Sequence, residues 1–273
     1  MARSNANDPL AQSQTKQKSI YGGVTPKETY EHFALRFSAS VVRVQNVLLD
    51  TQAAFGAISL EVLQSFSSHS ISILDIPCGT GAGALALLSI IHELRLAGLV
   101  PCLPLNVTVQ GGDFSECALE IYRDLFNDLR SVFALSGIKV TLHGMHWDAT
   151  DLASTNQLFR TWERASLEAH ERFVLISNFS GDGSDMDERL DESMRHICVR
   201  AAAVDATLLW IEPGDKGGKG FLARMSKAIR KFFFGKESEE KHEPRSSEAK
   251  WWHEINGVEL NIRSAVHNYS RVQ

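Results

Sequence analysis

The sequence predicts an α/β protein with a doubly wound, mostly parallel sheet, added N-terminal helices and a terminal β-hairpin. Three observations predict it. Short apolar runs alternate with helical stretches between about residues 70 and 213. The first run enters its helix through a glycine-rich turn, "DIPCGTGAG", the kind of turn that lets another group approach the backbone closely. At 273 residues and 44% hydrophobic, the chain can bury the core such a sheet needs.

Taken in order, residues 1–19 are polar and read as a disordered tail. A capping box opens the first helix, with Thr25 as cap, Pro26 at the first helical position and Glu28 three residues after the cap. At least two helices precede the first strand, so residues 20–70 read as a helical cap on a main domain spanning 71–273. "SISILDI" is the first strand, followed by a helix from about Gly81 to Ala97. "NVTVQGGD" then leads to a helix from about Ser115 to Leu135. "IKVTLHGMHWD" leads to one near Ser154 to Ala169, and "RFVLISNF" to one near Met186 to Val204. "ATLLWIEPG" is the fifth strand, and the helical run "GFLARMSKAIRKFFF" follows it. Residues 235–250 are charged and contain Pro244, which predicts a solvated loop. From Trp251 the pattern predicts a hairpin turning at Asn256-Gly257.

Composition excludes several classes. A net charge of -5 argues against a surface that grips nucleic acid all round, leaving only local basic faces. The four cysteines, Cys78, Cys102, Cys117 and Cys198, form no CxxC pair. Neither a metal site nor a disulfide framework is expected, and a reduced cytoplasmic setting follows. The N-terminus lacks a signal-like apolar stretch, and no run approaches the roughly 18 apolar residues of a membrane span, so a soluble protein is expected.

The turn Gly79-Thr80-Gly81-Ala82-Gly83-Ala84 satisfies G-x-G-x-x-A, which admits an NAD(P)-dependent oxidoreductase or a turn whose glycines serve packing alone. Three acids at successive strand ends narrow the choice. Asp75, just before the turn, would repel a pyrophosphate but could receive an ammonium, directly or through water. Asp113 stands where a second strand end takes ribose hydroxyls. Asp148 could accept from an adenine amino group, with Trp147 or Ala149 beside the ring. Helix capping is the competing role for Asp113 and Asp148.

With those residues in view, the sequence resembles the class I S-adenosylmethionine-dependent methyltransferases. The resemblance is carried by "LDIPCGTGAG", "GGDFSECALEIYRD", "WDATD", "VLISNF" and "LLWIEPG", over roughly residues 71–220. It implies S-adenosyl-L-methionine as cofactor, held by Asp75, Cys78, Gly79, Thr80, Gly81, Asp113, Phe114, Ser115, Trp147, Asp148, Ala149 and Asn178. Methyl transfer from a sulfonium needs alignment and desolvation, and a base only for some acceptors. The acceptor would approach near residues 177–185. There Asn178 would orient it, with Asp182 or His146 as candidate general base. The fourth strand lacks the Asn-Pro-Pro-Tyr or Asp-Pro-Pro-Tyr sequence of the base-amine methyltransferases and the Pro-Cys of the cytosine C5 enzymes. Tyr21, Tyr30 and Arg36 are candidate lid residues, although an amphipathic helix packed on the sheet is the commoner explanation of such residues. A fainter similarity links "LLWIEPGDKGGKGFLARMSKAI" to the Rsm22-like branch, associated with ribosomal RNA, though the cysteines usual there are absent. The basic residues between Lys216 and Lys236 could meet RNA phosphates or an anionic surface, but a core-packed helix with a solvated basic face is the preferred reading of such a run. A small-molecule acceptor is expected ahead of RNA. A non-catalytic binding module of the same fold is the alternative.

Overall fold

The structure is a computed structural model that describes residues 23, 25–179, 187–214, 220, 222–223, 245–253 and 258–269. Two helices come first, α1 (Pro26–Leu49) and α2 (Ala57–Ser65). Four strand-helix units and a fifth strand follow: β1 (Ser70–Asp75), α3 (Ala82–Leu96), β2 (Leu105–Asp113), α4 (Glu116–Ala134), β3 (Ile138–His146), α5 (Leu152–Ala165), β4 (Glu171–Ser177), α6 (Asp187–Ala203) and β5 (Thr207–Pro213). Strands β6 (Arg245–His253) and β7 (Val258–Tyr269) close the described chain.

The capping box of α1 forms as the sequence predicts. The Glu28 amide donates to Thr25 Oγ1 at 3.3 Å and the Thr25 amide donates to Glu28 Oε2 at 3.1 Å. Each βα unit alternates its buried residues between two faces of the sheet. Ile71 and Ile73 of β1, Phe173 and Leu175 of β4, and Leu209 and Ile211 of β5 face a core shared with α1, α2, α3 and α4. Leu74, Val174, Ile176, Leu208 and Trp210 face a second core with Leu158 and Trp162 of α5 and Met194 and Ile197 of α6.

The seven strands lie in the order β3-β2-β1-β4-β5-β7-β6. β1 to β5 are parallel, and β7 pairs antiparallel with both β5 and β6. This is a mostly parallel α/β sheet consistent with a class I methyltransferase-like fold. It departs from the all-parallel 3-2-1-4-5-6 order of the dinucleotide-binding fold by the antiparallel strand set between β5 and β6. The strand order reverses at β1, so the crevice of the sheet opens beyond Asp75 and Ser177.

The boundaries differ from expectation mainly at two places. The helix after β3 starts at Leu152, because the Asp151 carboxylate caps it by accepting from the Ala153 amide at 2.8 Å, and it ends at Ala165. Residues 245–250, expected as loop, begin the edge strand β6, and their charges are matched across the ladder. Arg263 Nε lies 3.0 Å from Glu248 Oε2, and Lys250 Nζ lies 2.8 Å from Glu259 Oε1. The hairpin strands are therefore longer than the alternation after Trp251 suggested. The turn at Asn256-Gly257, Pro244, the tail 1–19, Tyr21 and Asp182 lie outside the described residues, as does most of the basic 216–236 segment. Among the described residues, no helix is long and apolar enough to cross a membrane.

Candidate functional site

The glycine turn connects β1 to α3, and its small residues serve different ends. Gly81 has φ +90°, and a Cβ there would lie 2.0 Å from Cδ2 of Tyr122. A Cβ at Gly111 would lie 2.9 Å from Cε1 of the same ring. At Gly83 it would meet Ser177 Oγ at 2.7 Å and Asp75 Oδ1 at 3.1 Å, and at Gly112 it would meet Leu158 at 2.6 Å. These four positions are small because protein packs against them. Gly79 differs: with φ +50°, its added Cβ would meet no described atom within 4 Å. Only there does the turn face open space among the described residues.

Asp113, at the end of β2, ties this turn to the next strand. Its Oδ2 accepts from the Gly79 amide at 2.8 Å and its Oδ1 from the Ser115 amide at 2.9 Å. Burial raises its pKa, and those amides and the nearby His146 oppose the rise. Ser115, not Asp113, caps α4, by accepting from the Ala118 amide. Cys78, buried, is fixed by its backbone, its amide donating to the Gly112 carbonyl and its carbonyl accepting from Gly81. Burial and the charges of Asp113 and Asp75 push its thiol well above the usual range. Thr80 is also buried.

Asp75 ends β1 directly before the turn and is enclosed there. It is 0% exposed, and its Oδ2 accepts a 2.8 Å hydrogen bond from the Tyr122 hydroxyl, itself fully buried on α4. Its Oδ1 has no partner at hydrogen-bonding geometry among the described residues. The Ala84 amide on the first turn of α3 favours the ionised form. Burial dominates and raises the carboxyl pKa to about 7, against the opposing influence of Tyr122 and Ala84 and with a further push from Asp113.

Beyond β3, Trp147 is 1% exposed and its indole N–H donates to Thr155 Oγ1 at 3.0 Å, placing the ring in the core. Its amide donates to the Asp113 carbonyl, which joins the two strand ends. The partly exposed rings at this edge are Phe114, 40% exposed, and His146, with centroids 5.3 Å apart. Asp148 is half-buried and turns the backbone, Oδ1 accepting from the amide and hydroxyl of Thr150. Asp151 caps α5 instead, so Asp148 is no N-cap either. Ala149 is half-buried beside the second core.

At the end of β4, Asn178 adopts φ +56°, and its Oδ1 accepts from Arg43 of α1 at 2.7 Å. That contact orients the side-chain amide, whose N–H groups can donate to a ligand. Next to it, the Phe179 amide donates to Glu212 Oε1 at 3.0 Å, and that buried oxygen also accepts from the Trp210 indole at 2.7 Å. At the start of α1, the Thr29 hydroxyl lies 3.3 Å from that of Ser115, and Tyr30 is 62% exposed.

The structure thus brings Cys78, Gly79, Thr80, Gly81, Asp113, Phe114, Ser115 and His146 to one edge, and it places Asn178 across the switch point beside Arg43. Asp75 and Trp147 lie beneath that edge. Sequence reasoning missed Tyr122, Arg43, Glu212 and Phe179. The signal for Tyr122 was its place on α4: the buried positions Ala118, Leu119, Tyr122 and Phe126 recur at helical spacing, aiming a hydroxyl into an apolar face.

No family model matches the chain, and no curated protein matches it. Among solved structures, the chain is similar to a Methanococcus maripaludis protein described as a candidate S-adenosyl-L-methionine-dependent methyltransferase. The two are 12% identical, the match covers 95% of this chain and 98% of that one, and the TM-score is 0.35. A likeness that low carries no argument. The strand order and the site geometry support the fold by themselves.

Proposed function

We propose that this chain is an S-adenosylmethionine-dependent methyltransferase, with a small-molecule acceptor favoured over RNA. The observation that carries this reading is Gly79. It is the turn glycine whose added Cβ meets no described atom, and its amide is held by the carboxylate of Asp113 at the end of the neighbouring strand. An acid that still has lone pairs, beside a backbone left thin over open space, fits a ribose with two hydroxyls. Buried acids at both strand ends suit a pyrophosphate poorly, and the antiparallel β7 departs from the dinucleotide-binding order.

When bound, the donor supplies an electrophilic methyl group on a sulfonium. Gly79 admits it, Asp113 binds its ribose, and Phe114 and His146 flank its base. Asn178, oriented by Arg43, aligns the acceptor with amide N–H groups. His146 is the described candidate for removing a proton, where the acceptor needs one removed. Asp182 keeps the same standing, from the sequence alone.

Calorimetry with S-adenosylhomocysteine, S-adenosylmethionine and NADH tests this. Both adenosyl ligands should bind, and NADH should not. Gly79→Asn tolerates the left-handed backbone and meets no described neighbour. It should leave the melting temperature within a few degrees while weakening the adenosyl ligands by at least about tenfold, or about 1.4 kcal/mol. Binding of NADH alone, or an unchanged affinity in Gly79→Asn, would contradict the reading.

A further inference from the structure

The glycine turn is supported from below by a contact that the sequence does not announce. Tyr122 lies with its ring edge where side chains at Gly81 and Gly111 would be, so the turn and β2 are both moulded to it. Its hydroxyl ends on Asp75 Oδ2, and both residues are fully buried. On the other side of Asp75, Gly83 of α3 presses against Oδ1 and Ser177 Oγ. The pair therefore touches the last residue of β1, the turn, the first turn of α3, the end of β2 and the end of β4. It reaches no solvent from which a ligand could approach.

We infer that Tyr122 and Asp75 form a buried positioning pair that fixes the height of the glycine turn beneath the cofactor, and that Asp75 itself does not meet the ligand's ammonium. This rests on the methyltransferase reading and deepens it. A phenol donating to a carboxylate makes a stronger bond than one donating to a neutral acid, so the pair is tightest when Asp75 is ionised. The titratable groups facing Asp75 are Tyr122 on α4, Asp113 on β2 and Cys78 in the turn. α3 and β4 present the Ala84 amide, Ser177 and Leu175, which carry no charge. Tyr122 and Cys78 are both held neutral well above their ordinary ranges, and Asp113 acts as a nearby negative charge. Burial holds the ionisation of Asp75 near neutrality, so the tightening of the turn falls within the working range.

The test compares two probes, S-adenosylhomocysteine and 5′-methylthioadenosine. They share the adenosine and sulfur, but only the first has the ammonium. The full-length chain, Asp75→Asn, Tyr122→Phe and the double variant are titrated with each by calorimetry between about pH 6 and pH 9. Both substitutions conserve shape, and Tyr122→Phe keeps the ring against Gly81 and Gly111; if one variant does not fold, the other decides alone. A positioning pair predicts that each single variant weakens both probes alike, by about five- to twentyfold, and that the double variant is little worse than either. It also predicts that methylthioadenosine, with no group titrating in this range, binds the wild-type chain more tightly as pH rises through about 7. That dependence should flatten in both variants, which a merely structural loss of stability would not produce.

Weakening of S-adenosylhomocysteine alone in Asp75→Asn would show that the carboxylate meets the ammonium and overturn the inference. So would unchanged affinities in either variant. Failure of both probes to bind the wild-type chain is a separate result, which overturns the methyltransferase reading and the pair's assignment with it.

Discussion

Asp75 shows how a residue's type and its place in a motif can be legible while its contacts are not. The sequence set an acid directly before a glycine turn, where an ammonium ligand is the obvious partner. Nothing in the local pattern indicates that Tyr122, 47 residues later, comes within 2.8 Å of it. That contact depends on the register of β1 against β2 and on the packing of α4, which are long-range facts. The energetic consequence is testable. Burial lifts this carboxyl from its ordinary 3.8 to about 7, so in that interval the folded chain holds a proton that the unfolded chain has released. The contribution to stability is complete below about pH 4 and declines as pH rises towards 7. Above that the loss is constant, at up to about 4 kcal/mol. Asp75→Asn removes the titration, so it should be more stable than the wild type at pH 8 and gain little at pH 4. Urea midpoints at the two pH values measure this, and a gain equal at both would contradict it.

At the scale of elements, the helices and strands of the parallel half were readable because period and punctuation agreed. Gly81 ends the turn before α3, Ser115 precedes α4, and apolar runs mark β1, β2, β4 and β5. What was less readable is which residue of each junction does which task. Asp113 and Asp148 looked like alternatives between ligand and cap, yet Ser115 and Asp151 are the caps, leaving one acid to hold backbone amides and the other to turn a loop. Ser115 also meets Thr29, so one hydroxyl joins the start of α1 to the start of α4. Ser115→Ala removes the cap and that contact together, and should lower stability by about 1 to 2 kcal/mol. Ser115→Thr, which keeps an acceptor oxygen, should recover most of it. Denaturant unfolding of the two variants measures the difference, and equal losses would show that the hydroxyl does not carry the effect. The edge strand β6 was misread as loop for a related reason. Its charges are satisfied across the ladder by Glu259 and Arg263, partners that local composition does not reveal.

The whole molecule raises the question of what α1 and α2 are for. Read along the sequence, residues before the first strand look like a cap on a finished domain. In the structure, Val44, Val47, Leu48, Phe55, Val62 and Phe66 are almost wholly buried and belong to the same core as Ile71, Ile73, Leu87, Phe173 and Ile211. They pack in one core with residues of α3 and the sheet, and Arg43 reaches from α1 to the end of β4. Each of these six side chains contributes about 1.5 to 3 kcal/mol when buried, so together they are comparable with the roughly 5 to 15 kcal/mol by which a domain of this kind is ordinarily stable. We therefore propose that the helices are integral to the domain and that no boundary at residue 70 separates independent parts. A chain beginning at residue 67 should lose cooperative thermal unfolding and bind a hydrophobic dye, whereas one beginning at residue 23 should melt as the intact chain does. Scanning calorimetry of the two truncations decides it. A single sharp transition from the chain beginning at residue 67 would make the helices accessory, and would leave Asn178 to be oriented by something other than Arg43.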